Sequence, residues 1–544
     1  MAKRNYTDLS KAELVQLLEA RDRRDATRFG LVWEANEIER DRALNQDFVA
    51  LDLDQSLSCG DAPWKNLIIE GDNFDALRYL RMTFAGRVKC IYIDPPYNTG
   101  NRDFVYNDRY VDKEDLWRHS KWCEFMFQRL TLAKDLLRQD GSIVVSIDDN
   151  EIFSLGMLMK RIFGEDAFVA NCIWQKRYSR ENREAIGDAH EYVLFYAPDV
   201  GVFKRVRGKI PLGDKQRAVY KNSNNDPKGP WQSVSLTAQG FRPNQMYTIT
   251  APSGRTHSPP DGTCWKLIKE EYDKLFAAGR VWFGRDGNGV PRRIYYLSEA
   301  DGLVPWTWWN HEEVGHTDEA KREIRKWFGT QTAFDTPKPL RLIERVLQIS
   351  SPRNDHNEDI ILDFFAGSGT TAHAVHKLNK EDGGNRRVIL VSNTEATVDE
   401  PDKNLCRDVC ATRVRRVIEG YGEIEGIGGD FAYLRCRRIS PGNITDVDHE
   451  QVWIALQLTH MPSIGPFDDS QKFMIADHQG IRLIYVPHLK ARGSQALLEA
   501  AIGSPSTIVY TWQPELVQQR LASATNTQIE PVPESLAQRF GLRI

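Results

Sequence analysis

Long apolar runs are missing from this chain of 544 residues, and without a stretch of about 18 consecutive apolar residues an ordinary membrane-spanning helix is excluded. The first residues, MAKRNYTDLSKAEL, also lack the basic-then-apolar pattern of a secretory signal, so a cytoplasmic protein with no membrane partner is expected. Cysteine is sparse and scattered: Cys59, Cys90, Cys123, Cys172, Cys264, Cys406, Cys410 and Cys436 include no CxxC pair. That argues against a disulfide framework or a zinc ribbon and in favour of buried thiols. No HExxH spacing occurs, so His119, His190, His311 and His316 read as structural or surface residues and no metal is expected. GxxxxGK[ST] is absent too, which disfavours a phosphate-gripping loop. Nor does one sign of charge dominate. The 72 basic and 76 acidic side chains leave a net −4, so the whole molecule is not the basic object that nucleic acid favours.

What is present is an ordinary globular composition, 41% hydrophobic and 27% charged, in a chain long enough for about two to four domains. Residues 1–60 read as an N-terminal helical segment, where Ser10 and Glu13 form a capping box ahead of Leu14, Leu17 and Leu18. Residues 61–198 alternate short apolar runs (NLIIEG, VKCIYID, SIVVSID) with helical periodicity, the pattern that builds parallel sheets. Over 199–330 the periodicity breaks into runs punctuated by Gly, Pro, Asn and Trp, as in an inserted loop-rich domain. Strand and helix alternation resumes over 331–421, and 422–544 reads as an α+β region of unassigned role.

Two local features carry chemistry. The first is IYIDPPYNTG, residues 91–100, where an apolar strand ends in an acid, two prolines and an aromatic. Consecutive prolines fix the backbone and present carbonyls with no N–H beside them, and Asp94 adds a carboxylate. Such a cluster suits a planar amino group, with Tyr97 as a flat face on which a base can stack. The second is ILDFFAGSGTTAHAV, residues 361–375: a strand, a Gly-x-Gly turn and a helix start. Only small residues let a ligand approach that backbone, although a bare tight turn fits the same letters. Glu395 follows the next strand, about 30 residues on, where an acid can accept from ribose hydroxyls.

Taken together, these residues resemble the amino-methyltransferases that use S-adenosylmethionine, and specifically the β-class DNA adenine-N6 methyltransferases of the Mod type found in type III restriction-modification systems. DPPY precedes FAGSGT by about 270 residues, the order that defines the β class. The likeness continues through GDNFDAL (71–77), DGSIVVSIDDNE (140–151), EYVLFYA (191–197), EEVGHTDEAKREI (312–324) and FDTPKPLRLIERVL (334–347). It implies an α/β fold: a Rossmann-like methyltransferase domain with circularly permuted motif order and a mixed, mostly parallel sheet, interrupted by a target-recognition insertion at 199–330.

The resemblance also implies roles. Asp94, Pro95, Pro96 and Tyr97 would receive the target base. Asp363, Phe365, Ala366, Gly367, Ser368, Gly369 and Thr370 would line the methionine and ribose parts of S-adenosylmethionine, with Lys338 near its carboxylate, Glu395 at the ribose and Asp72 at the adenine. By its position alone, Asp72 reads equally as an N-cap. Double-stranded DNA is the implied substrate, and a second copy of the chain and a helicase-nuclease subunit are the implied partners. Cytosine-N4 methyltransferases, which more often carry Ser-Pro-Pro-Tyr, and a recognition subunit serving a nuclease are the alternative readings. Recognition of DNA is expected in the insertion, where residues 201–230 hold eight basic and two acidic side chains, together with Trp231, Trp265, Trp306, Trp308 and Trp309.

Overall fold

The computed structural model describes Lys11, Val15 and residues 48–532, except 101–104, 107–108, 111–117, 181–184, 223, 330–332, 354–357, 398–399, 440–447, 489–492, 503–505, 522–523 and 525. Nearly all of the expected N-terminal helix therefore lies outside the described residues.

Ten strands form one sheet: β1 (Phe48–Cys59), β2 (Leu67–Glu70), β3 (Val88–Ile93), β4 (Leu137–Ile147), β5 (Phe168–Gln175), β6 (His190–Tyr196), β7 (Trp308–Trp309), β8 (Asp359–Asp363), β9 (Arg386–Ser392) and β10 (Phe431–Ile439). Their order is β1-β10-β2-β9-β8-β3-β4-β6-β5-β7. Pairing is parallel throughout except at β1/β10, β4/β6 and β6/β5, so the sheet is mixed and mostly parallel. The central strands carry near-continuous apolar runs, such as CIYI, IIL, VILV and IVV, because both faces are covered. Ile69, Ile91, Ile93, Val145, Leu362 and Ile389 join one core cluster. Their chain neighbours Ile68, Cys90, Tyr92, Val144, Ile361 and Val388 join the other. Helices α1 (Asn73–Phe84), α2 (Arg118–Leu136) and α3 (Ile152–Phe163) cover the first face through Leu77, Leu80, Met126, Leu130 and Leu155. On the opposite face lie α5 (Leu340–Ser350), α6 (Thr370–Asp382) and α7 (Thr412–Glu419), through Leu342, Val346, Val375 and Val414. Each such side chain contributes about 1.5–3 kcal/mol by leaving water.

The sheet departs from the expected boundaries at both ends. Residues 48–59 are strand, not helix: in LDLD, residues 51–54, apolar and acidic positions alternate, and Asp52 and Asp54 pair with Arg437 and Arg435 of β10 at 3.3 and 2.8 Å. β10 itself falls inside the region expected to be a separate C-terminal domain. Ala432 and Leu434 belong to one core face and Phe431 and Tyr433 to the other, so this strand is interior to the sheet. Helix α8 (His449–His460) then packs on the α1 side through Val452 and Leu456. A second, four-stranded sheet follows over Met474–His478, Ile481–Val486, Ser506–Thr511 and Thr527–Pro531; one face has its own core of Ile484, Val486, Leu497, Val509 and Val517, while Leu483, Tyr485 and Tyr510 join the main core on the other.

The insertion folds as small sheets around two satellite cores, one holding Leu236, Trp265, Tyr272 and Phe283, the other Trp231, Ile294 and Tyr296. An Ile210–Leu303 bridge closes its base. Beyond it the chain has already returned to the main body: β7 pairs with β5, and α4 (Thr317–Phe328) buries Trp327 against His373 of α6, ring centroids 5.5 Å apart. Among the described residues no helix is long and apolar enough to cross a membrane.

Candidate active site

Neighbouring strands β8 and β3 feed opposite directions: β8 leads through α6 to β9 on one side, and β3 leads through α2 to β4 on the other. A reversal of this kind leaves a crevice beyond the carboxyl ends of the two strands, the usual ligand position in such sheets. Leu362 of β8 is in register with Ile91 of β3, so FAGSGTT and DPPY leave the sheet side by side.

At the end of β3 the DPPY turn is held from behind. Trp122 of α2 donates its indole N–H to the Pro96 carbonyl at 2.7 Å, so this carbonyl is committed within the protein. Asn98, fully buried with φ 58°, donates to Glu151 Oε1 at 2.6 Å, and His119 Nδ1 lies 2.6 Å from the same oxygen. The Asp94 carboxylate accepts from the Tyr97 hydroxyl at 2.8 Å and lies 2.9 Å from the Lys338 ammonium. Lys338 also donates to the Tyr97 hydroxyl at 2.8 Å and lies 3.3 Å from Glu191. Burial raises the Asp94 pKa, opposed by Lys338 and reinforced by Glu191. For Lys338 burial acts to lower the pKa, but the charges of Asp94 and Glu191 more than offset it and the ammonium is held. Expected beside the carboxylate of a cofactor, Lys338 is thus brought to the DPPY turn.

The glycine turn is built from the inside. Asp363, buried at the end of β8, accepts from the Phe365 N–H at 3.0 Å and from the Thr371 hydroxyl at 2.6 Å, tying the turn to the first residues of α6. Burial pushes its carboxyl up to about 7 despite those bonds. Gly367 and Gly369 have φ of 50° and 76°, a region in which side chains are strained. A Cβ on Gly367 would meet the Phe334 ring at 3.0 Å, and one on Gly369 would meet Val414 and Cys410 at 3.1 and 3.2 Å. The Ala366 N–H donates to the Val391 carbonyl. Ser368 and Thr370 turn their hydroxyls inward to Arg413 of α7, at 3.0 and 2.7 Å. Burial lowers the pKa of that guanidinium to about 10. Phe365 is half-buried against Phe125, ring centroids 6.0 Å apart.

Asp72 and Glu395 lie beyond the ends of β2 and β9 on the same rim. Asp72 caps α1 by accepting from the Phe74 N–H at 2.7 Å, and Arg129 holds it at 3.1 Å, yet about half of its side chain is exposed. Glu395 adopts φ 51° and pairs with Lys403 at 3.2 Å, with 44% of its side chain exposed. The parallel strands therefore deliver Asp72, the DPPY turn, the glycine turn and Glu395 to one rim, and the loop ahead of α5 adds Lys338. Glu191, Trp122, Glu151 and Arg413 are additions from structure. Of these, Glu191 and Glu151 stand in stretches that carry the family likeness, EYVLFYA and DGSIVVSIDDNE, whereas Trp122 and Arg413 do not.

Comparison with known proteins agrees with this architecture. Residues 88–396, more than half of the chain, match the DNA methylase family of N6 and N4 methyltransferases. Among similar proteins, the Type III restriction-modification enzyme StyLTI Mod subunit of Salmonella typhimurium is 37% identical over 360 residues, 61% of this chain and 53% of that protein. The Type II methyltransferase M.KpnI of Klebsiella pneumoniae is 32% identical over 375 residues, 66% of this chain and 88% of that protein. The EcoPI Mod subunit of Escherichia phage P1 is 30% identical over 391 residues, 61% and 58% respectively. This chain spans a little over half the length of each of these Mod subunits. With two strand-end turns converging on one crevice and a family match that runs from β3 through β9, the chain belongs to the DNA methylase family.

Proposed function

We propose that this chain is a site-specific DNA methyltransferase that transfers a methyl group from S-adenosylmethionine to the N6 amino group of a flipped-out adenine within a restriction-modification system. The observation that carries this reading is the placement of Asp94 and the glycine turn on adjacent strand ends at the point of sheet reversal. Similarity to two Mod subunits and a type II methyltransferase supports the restriction-modification setting. Asp at the head of DPPY, where cytosine-N4 enzymes more often carry Ser, supports adenine over cytosine.

The residues suit S-adenosylmethionine. Two glycines in the left-handed region keep the turn free of side chains, and Asp72 and Glu395 offer partly exposed carboxylates that can accept from hydroxyl and amino groups. When bound, this cofactor supplies a methyl group on a cationic sulfonium. A base inside a duplex cannot reach Asp94, so it must leave the stack, at a cost of a few kcal/mol. The ring of Tyr97 then offers it a flat apolar face. Asp94 and the Pro95 carbonyl accept from the amino group, which localises the nitrogen lone pair and aims it at the methyl carbon. Asp94 would be the carboxylate placed to take the proton that the amino nitrogen gives up when the methyl group passes to it from the sulfonium, whose carbon–sulfur bond breaks. Positioning of this kind is worth on the order of 7–11 kcal/mol. No Pro-Cys nucleophile occurs in the chain, in keeping with direct transfer.

The insertion is the proposed recognition domain, with a second copy of the chain and a helicase-nuclease subunit as proposed partners. The test is single-molecule sequencing of DNA from a methylation-deficient host expressing the chain, beside an Asp94→Ala variant. N6-methyladenine at one short motif, lost in the variant while S-adenosylmethionine still binds, is the expected result. N4-methylcytosine would replace adenine by cytosine in the proposal, and unmodified DNA would overturn it.

A further inference from the structure

Glu191 is the second residue of β6, which runs antiparallel to β4, so its first residues lie at the carboxyl ends of the parallel strands. Its carboxylate is about nine-tenths buried. Oε2 is 2.9 Å from the Tyr97 hydroxyl and 3.3 Å from Lys338, and Oε1 is 3.5 Å from Lys176. The same Tyr97 hydroxyl is 2.8 Å from Asp94. A phenol has one proton and donates to one acceptor at a time. Asp94 and Glu191 therefore compete for it, while Lys338 donates into the phenol oxygen and shares its charge between the two carboxylates.

We propose that Glu191 is a positioning residue for methyl transfer: by drawing the Tyr97 hydroxyl and part of the Lys338 charge toward itself, it leaves Asp94 lone pairs open to the amino group of the target base. The inference rests on the methyltransferase reading and deepens it. Without Glu191 both donors turn to Asp94. Its oxygens are then occupied from inside the protein, and an acceptor already occupied binds a further N–H poorly. The groups that face this cluster come from five directions: Asp94, Tyr97 and Tyr92 from β3 and its turn, Asp363 from β8, Asp148 beyond β4, Lys176 and its partner Asp188 flanking β5 and β6, and Lys338 ahead of α5. Among these only Lys338 and the Tyr97 hydroxyl touch both carboxylates.

The test uses the full chain with Glu191→Gln, Glu191→Asp and Tyr97→Phe, alone and combined. Glu191→Gln keeps size and polarity but removes the charge. Methyl transfer to duplex DNA is expected to fall about tenfold in kcat, with S-adenosylmethionine affinity unchanged, the acidic limb of the kcat profile moved to lower pH, and partial recovery in Glu191→Asp. In the Tyr97→Phe background the hydroxyl is gone and only Lys338 still joins the two carboxylates, so the same change is expected to cost less than about threefold. Competitive acetylation of Lys338 across pH, read by mass spectrometry, supplies an assay that needs no turnover, and its pKa is expected to drop in Glu191→Gln. An unchanged Lys338 titration, or an equal kcat loss with and without the Tyr97 hydroxyl, would overturn the inference. A parent chain that transfers no methyl group would overturn the methyltransferase reading instead, with the Lys338 titration still deciding whether the two carboxylates share its charge.

Discussion

The indole N–H of Trp122 points at the Pro96 carbonyl from 2.7 Å away, joining the interior of α2 to the second proline of the DPPY turn. Trp122 is fully buried, so this donor has no water to fall back on. Of the two proline carbonyls, Pro96 is thereby committed inside the protein, and Pro95 is the one assigned to the substrate. Trp122→Phe retains an aromatic ring but leaves the carbonyl unpaired, a loss of about 1–3 kcal/mol in a buried setting. A urea midpoint lowered to match, with kcat for methyl transfer reduced more than S-adenosylmethionine affinity, is the expected outcome. Unchanged kcat would show that the position of Pro96 does not matter to transfer.

Gly369 makes an independent test of the cofactor site. It is left-handed at φ 76°, and an added Cβ would meet the Val414 methyl at 3.1 Å and the Cys410 carbonyl at 3.2 Å. An L-residue in that region costs about 1–2 kcal/mol before any clash is counted. The turn must shift, and Gly369→Ala is expected to weaken S-adenosylmethionine binding at least about tenfold, or about 1.4 kcal/mol, in isothermal titration. A dissociation constant close to that of the parent chain would place the cofactor elsewhere.

Much of this architecture is readable in the chain, for a physical reason. Strands covered on both faces leave near-continuous apolar runs such as CIYI in β3, and turns that hold ligands leave short polar signatures at their ends, so DPPY and FAGSGTT stand out together with their order. Long-range placement leaves no such trace. Glu191 is a single acid at the start of an apolar run, and it reaches Tyr97, 94 residues away, only because β6 is antiparallel and begins at the rim where β3 ends. β10 reads as one more strand after a change of pattern. That it belongs between β1 and β2 follows from pairing, not from composition. The inward hydroxyls of Ser368 and Thr370 are equally silent, because their partner Arg413 looks like any basic residue on an amphipathic helix.

Asp363 ties stability to pH. Its carboxyl is raised from 3.8 to about 7 by burial, so the folded chain holds this proton more tightly than the unfolded chain. Over the interval between those two values the unfolded state binds fewer protons, and stability falls as pH rises, levelling off above the folded value. Asp363→Asn keeps an acceptor for the Phe365 N–H and offers its amide to the Thr371 hydroxyl, without a titrating group. The gap in denaturation midpoint between variant and parent is therefore expected to move in favour of the variant from pH 5 to pH 8. Parallel profiles for the two proteins would show that Asp363 is ionised throughout.

The tryptophans in the insertion and in the segment just beyond it divide by burial, and the division separates folding from DNA binding. Trp265 is 1% exposed and donates its indole N–H to the Tyr247 carbonyl at 2.7 Å, in the centre of the larger satellite core. Trp231 and Trp309 are similarly enclosed, whereas Trp306 and Trp308 are 60% and 49% exposed. Removing a buried tryptophan costs about 3–5 kcal/mol, more than a satellite core of this size can absorb. Trp265→Ala is expected to unfold the insertion, detected as protease cleavage within residues 209–303 while the methyltransferase sheet stays protected. Trp306→Ala leaves no cavity, so the denaturation midpoint should hold. If duplex DNA is contacted through this exposed aromatic at the base of the insertion, fluorescence anisotropy should record a weaker complex, and an affinity equal to the parent's would confine DNA contact to other parts of the surface.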